Sequence, residues 1–115
     1  MGVEVILDIY SGRENPKWSL EKPAIVELGQ LLGAIEAKKN AQLPQPPALG
    51  YRGFHLRAFQ ERLPSHITVF MGTVVTESGN FQDSGRKIEQ WLVGHSRRFV
   101  DNETYKYLES LMQSG

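Results

Sequence analysis

The chain contains no cysteine in its 115 residues. That excludes disulfides, thiolate nucleophiles and cysteine-based zinc or iron–sulfur sites, although it does not fix a compartment. Neither sign of charge dominates. Lys+Arg and Asp+Glu both number 13, so the net charge is zero with neutral histidines. A broadly electropositive surface for nucleic acid or an anionic membrane is therefore not expected. No apolar run approaches the about 20 residues of a membrane span. The opening MGVEVILDIYSG has no basic leader or long apolar core, and it reads as a strand rather than a signal peptide. Ile6 stands where a myristoylation signal after Gly2 needs Ser or Thr. Asn102-Glu103-Thr104 fits a glycosylation pattern but, with no secretory signal, reads as a helix cap. A soluble cytoplasmic protein without metal or cofactor is the expectation.

What is present is one ordinary domain, residues 1–115, long enough to hide roughly two-thirds of its extended surface on folding. Val3, Val5, Leu7 and Ile9 alternate with Glu4, Ile6, Asp8 and Tyr10, the period of a strand. A loop follows over 11–18, with a turn at Asn15-Pro16. A helix is expected from Ser19, its regular part beginning near Pro23. Leu20, Ala24, Leu28, Leu31 and Ile35, widened by Ile25 and Leu32, form its apolar stripe. Gly29 and Gly33 suggest a close approach to the sheet. The Pro/Gln-rich stretch 38–50 is a connection, and the bare PxxP of Pro44 and Pro47 lacks the basic flank of a docking motif. Residues 51–59 and 66–76 read as two strands of an antiparallel hairpin, and 77–80 as a turn. Asp83 caps a helix carrying Ile88, Trp91, Leu92 and His95, with Gly94 as its stop. Asp101 or Asn102 caps a last helix with Tyr105, Leu108, Leu111 and Met112. The order β-α-β-β-α-α predicts an α+β fold. It is a small antiparallel sheet of about three strands with helices on one face, for example a split ferredoxin-like arrangement lacking its last strand.

Two segments carry the most chemistry, SGRENPKW (11–18) and LGYRGFHLRAF (49–59). Each sets an arginine beside a glycine and near aromatic rings, on loops at strand ends where sites often form. Arg13 and Arg52 present planar forks suited to carboxylate or phosphate, and Trp18 and Tyr51 could stack on a planar group. The bland alternative has both arginines tying down their own loops. Arg52 to Phe59 matches an RNA-recognition octamer at its first three and last positions. It fails at His55, Leu56 and Arg57, and Ile6 replaces the partner aromatic of the first strand. Asp8, His55 and His66 could meet across strands as a metal site, and Asp8, His55 and Ser11 as a triad, but no spacing selects either. Arg86-Lys87 and Arg97-Arg98 read as solvated charges.

SGRENPKWSL and LGYRGF together resemble segments of a family of small uncharacterised microbial proteins. These carry SGR-x-NP-x-W-x-L after an N-terminal strand and LGYRGF later. The matching positions are Ser11, Gly12, Arg13, Asn15, Pro16, Trp18 and Leu20, then Leu49 to Phe54. Glu14 stands where that pattern has proline, which loosens the turn. The resemblance implies no substrate or catalytic role.

The functional expectation is a small binding module. It would recognise an acidic or planar group, on a small molecule or peptide, through Arg13, Trp18, Tyr51 and Arg52, and would bind neither nucleic acid nor membrane. One alternative is a small enzyme with Asp8 and His55 as an acid–base pair and an arginine as anion clamp. Another is a self-associating structural protein, a homodimer through an uncovered sheet face bearing Ile6, Tyr10, Phe59 and Phe70.

Overall fold

The strand alternation at the N-terminus is realised in full. In the computed structural model, which describes residues 2–39, 41, 42, 45, 50–60 and 62–113, Val3–Leu7 forms strand β1. Val3, Val5 and Leu7 are buried, while Glu4 and Ile6 are half-exposed on the other face. The following strands are β2 (Lys17–Ser19), β3 (Phe54–Ala58), β4 (His66–Phe70), β5 (Thr73–Thr76) and β6 (Gly79–Gln82). The helices are α1 (Lys22–Ile35), α2 (Lys87–Ser96) and α3 (Asn102–Gln113). The strands make one six-stranded sheet in the order β2-β1-β3-β4-β5-β6, with every neighbouring pair antiparallel.

The expectation of a three-stranded sheet is thus overturned, and the chain order is β-β-α-β-β-β-β-α-α. Three errors account for it. The 11–18 loop conceals β2, which folds back on β1 and places Trp18 opposite Val5. The run 66–76 is two strands, broken by a tight turn at Met71 (φ +50) and Gly72 (φ +80), the left-handed pair that a two-residue hairpin requires. The turn at 77–80 leads into β6 rather than directly to a helix, and β6 also meets the connection after α1, where Lys39 bridges Phe81. The PxxP prolines and Leu49 lie outside the described residues.

Other local expectations fare better. Helix α1 starts at Lys22 with Pro23 in its first turn, where a missing N–H costs nothing. Ala24, Leu28 and Ile35 are its buried face. Gly29 and Gly33, however, make no close approach to the sheet. A Cβ at Gly29 would meet only Leu63, at 3.9 Å, and one at Gly33 nothing. Helix α2 passes through Gly94 and ends at Ser96. Asp83 does serve its first turn, accepting from Ile88 N and Glu89 N at 3.0 Å each. Asp101 accepts from Thr104 N at 2.7 Å as the cap of α3.

The inner face of the sheet and the helices share one core, with Leu7, Leu28, Phe54, Leu56, Ile67, Leu92 and Leu108 at its centre. No helix among the described residues is long and apolar enough to cross a membrane.

Candidate functional site

The two glycine- and arginine-bearing loops meet at Asp8. In the first, the Asn15 side-chain oxygen accepts from Ile9 N at 3.0 Å and Tyr10 N at 2.8 Å, folding residues 8–16 back on themselves as an Asx-type clasp. Leu7 N donates to Pro16 O at 3.0 Å where the loop rejoins β2. In the second, Arg52 N donates to Asp8 O at 2.7 Å, and Asp8 N donates to Gly53 O at 2.9 Å. The loop entering β3 is therefore hydrogen-bonded to the loop leaving β1.

Gly53 makes this possible. Its φ is +102, and a Cβ there would lie 2.6 Å from Val69 O and 2.9 Å from Phe70 Cβ. Only glycine allows the chain to cross β4 so closely.

The Asp8 side chain turns to the uncovered sheet face. Cross-strand register aligns Ile6, His55, Thr68 and Val75 there, and Asp8, two residues beyond Ile6, shares their side. Asp8 Oδ2 lies 3.1 Å from His55 Nε2, and His55 Nδ1 lies 3.1 Å from Thr68 Oγ1. A carboxylate only accepts, so Nε2 carries a proton. In the neutral ring Nδ1 then accepts from the threonine hydroxyl. Carboxylate, imidazole and hydroxyl form a continuous chain resembling a hydrolase relay. Strand β4 is paired on both sides, so the backbone N–H groups beside Thr68 are taken by the ladders and an oxyanion there would need a side-chain donor. The arrangement can exchange hydrogen bonds and protons with a bound polar group.

The four proposed ligand contacts do not form one clamp. Arg13 is exposed, with 61% of its side chain accessible. It lies 3.7 Å above the Tyr10 ring and 3.8 Å from Asp101. Arg52 is half-buried. Trp18 and Tyr51 are both buried, and both set ring edges against Phe54, at 6.4 and 6.0 Å between centroids. The other side of Trp18 is stacked on Phe99. These aromatics anchor the loops, so neither is placed to stack on a ligand held between Arg13 and Arg52. Ser11 is not in the relay; Thr68 takes the place drawn for it. His66 stands opposite Arg57, and among the described residues no three histidines or carboxylates group as a metal site.

Sequence reasoning missed the most elaborate polar cluster. Glu89, fully buried on α2, accepts from the Tyr51 hydroxyl, from Met71 N at 3.0 Å and Gly72 N at 2.9 Å, and from Arg86 Nε at 2.9 Å. Arg86 also donates to Leu111 O of α3 at 3.0 Å. Arg86 is therefore not the solvated charge it reads as; 12% of its side chain is accessible. Burial pushes the Glu89 carboxyl up, but Arg86, Tyr51 and Gly72 more than offset that and hold it below its ordinary range. The Tyr51 hydroxyl is pushed far up, chiefly by burial and then by the Glu89 charge. The pattern that could have revealed Glu89 is its place among Ile88, Leu92, Val93 and Ser96, the buried stripe of α2. Both Glu89 oxygens are occupied, one by Gly72 N and Arg86 Nε and the other by Met71 N and the Tyr51 hydroxyl. No protein-family model, no curated protein and no solved structure matches the chain.

Proposed function

We propose that the protein is a small cytoplasmic binding module for an acidic group, a carboxylate or phosphate on a small molecule or peptide. Its site is the sheet end where the loops that carry Arg13 and Arg52 meet at Asp8, beside His55. The observation that carries this reading is the position of Asp8, whose backbone ties the two arginine-bearing loops together while its side chain holds His55. A guanidinium on each loop supplies the charge, and the imidazole supplies an orientable hydrogen bond. Trp18 and Tyr51 act from beneath, fixing the loops.

Titrating isotope-labelled protein with inorganic phosphate and with N-acetylglutamate tests this. Amide shifts should cluster at residues 8–15 and 50–55 and weaken in Arg13→Gln and in His55→Gln. Shifts dispersed over the whole surface, or unchanged in both variants, would remove the assignment.

A second reading has its own observation. The 3.1 Å contact of Asp8 with His55 supplies the acid–base pair of a small enzyme, with an arginine as the anion clamp. Turnover of a bound ligand that disappears in His55→Gln while its binding persists would favour the enzyme.

A further inference from the structure

A cavity lies on the opposite side of the sheet from His55. It opens between β2, the start of α1 and the end of α2, with a volume of about 330 Å³, at the lower end of what small-molecule sites need. Trp18, Ala24 and Phe99 give it apolar walls, and Glu27, His95 and Arg98 give it polar ones.

One atom buried behind that wall is out of balance. Trp18 is buried, and its indole Nε1–H has no hydrogen-bond partner. Buried donors are paired in the great majority of cases, and an orphan costs free energy that calls for an explanation. Its counterpart Trp91 shows the contrast: Trp91 Nε1 donates to Glu27 Oε2 at 3.2 Å, linking α2 to α1. Glu27 is thereby engaged elsewhere. Phe99 lies flat on the Trp18 indole, 5.0 Å between centroids and 1° between planes, yet is 44% exposed. It covers the indole from the cavity side, so an acceptor reaches Nε1 when Phe99 turns aside. Arg98, the next residue, has its guanidinium 6.0 Å from the Phe99 ring.

We propose that this cavity binds a small planar carboxylate of single-ring size. One carboxylate oxygen accepts from Trp18 Nε1–H and the other pairs with Arg98. The ring lies against Phe99 and Ala24 in place of the self-stacked arrangement. A neutral ring would leave Arg98 unused, and an aliphatic acid would leave the aromatic wall uncovered. The inference is independent of the Asp8–His55 site.

The probe is benzoate, with benzyl alcohol and acetate as controls. The readout is the pair of indole N–H resonances, assigned through Trp91→Phe, which leaves the Trp18 signal alone. Benzoate should move the Trp18 signal downfield, as expected for a donor gaining a charged acceptor. Arg98→Gln should weaken binding about tenfold or more, the worth of one charge-assisted bond, and should fold normally because Arg98 is exposed. His55→Gln should leave benzoate binding unchanged. The proposal fails if the Trp18 resonance is indifferent to benzoate. It fails equally if benzyl alcohol or acetate moves that resonance as well as benzoate does, if Arg98→Gln binds undiminished, or if the indole shows only a contact to bound water.

Discussion

Glu89 illustrates how one side chain can organise a fold. Its carboxylate joins the strand-entry loop through Tyr51, the β4–β5 turn through Met71 N and Gly72 N, and α3 through Arg86. Removing it leaves Arg86 and two backbone donors without their acceptor, so Glu89→Ala should destabilise by about 3–5 kcal/mol, measured by chemical denaturation. The pH dependence follows from the direction of its shift. A carboxyl held below its ordinary 4.5 in the folded state contributes stability that is present above that value and is lost as pH falls through the folded value. Asp83 acts in the opposite sense. Burial, with the Glu89 charge adding to it, raises its carboxyl above the ordinary 3.8 despite the N–H groups of Ile88 and Glu89. Its contribution is therefore full at the lowest pH and lost as pH rises. The melting temperature of the wild type should thus drop as pH falls below the ordinary 4.5 of Glu89, with a slope that flattens in Glu89→Gln; an unchanged slope would mean the acid limb arises elsewhere. Trp18→Ala should cost about 3 kcal/mol or more, since it opens a void against Phe54 and Phe99. Trp18 stands out in SGRENPKW as a ring able to stack, and the structure makes it an anchor against Phe54 and Phe99. Glu89 does not stand out, because an acidic residue in KIEQ reads as an exposed helix charge until the stripe around it is drawn correctly.

At the scale of elements, the long alternating or β-branched strands were legible and the short ones were not. β1 and the β3–β4 hairpin declare themselves through period-two apolar residues. β2 has three residues and one buried side chain, and β6 has none fully buried, so neither carries a hydrophobic signature. The division of 66–76 was hidden for a different reason. Met71 is a poor turn residue, and its left-handed conformation is held by a tertiary partner, Glu89, eighteen residues away. Local chemistry cannot announce a turn stabilised from outside. The same accounting applies to the candidate site: Asp8, Arg13, Arg52 and His55 could be named, whereas Thr68 could be placed only once the register of β3 against β4 was known. Gly53→Ala should destabilise by about 2 kcal/mol or more, because it adds a left-handed Cβ that collides with Val69 O. Hydrogen exchange should be fastest in β2 and β6 and slowest in β1, β3 and β4, the order of their burial within the sheet.

For the whole molecule, the structure removes the reasons that pointed to pairing through the sheet face. Phe70 is buried, with its ring 5.6 Å from Tyr51. Tyr10 shares a hydrogen bond with Thr104 at 2.9 Å and is capped by Arg13. Phe59 is exposed but lies beside α1, so of the four residues expected in an apolar patch Ile6 is left on the sheet face, among His55, Lys17 and Glu4, which is a polar surface. The sheet edges offer little more. β2 is too short to template another strand, and β6 is partly covered by the connection after α1, where Gln82 N donates to Lys38 O at 2.9 Å. The two most exposed large hydrophobics, Val26 (61%) and Phe59 (56%), lie instead beside α1, where they rim a groove with Ile25 and Leu63, while Met71, Phe99 and Tyr107 are exposed elsewhere. A groove rimmed by two such side chains is within what a monomer tolerates. Sedimentation at micromolar concentration should therefore return the mass of one chain, 13.0 kDa. If it returns two, the contact belongs at that groove, and Val26→Glu should restore the single chain while Ile6→Glu does not. A dimer separated by Ile6→Glu and untouched by Val26→Glu would mean that the polar face, with Asp8 and His55 upon it, is the interface. The acidic group proposed for the site would then be supplied by a second copy of the chain.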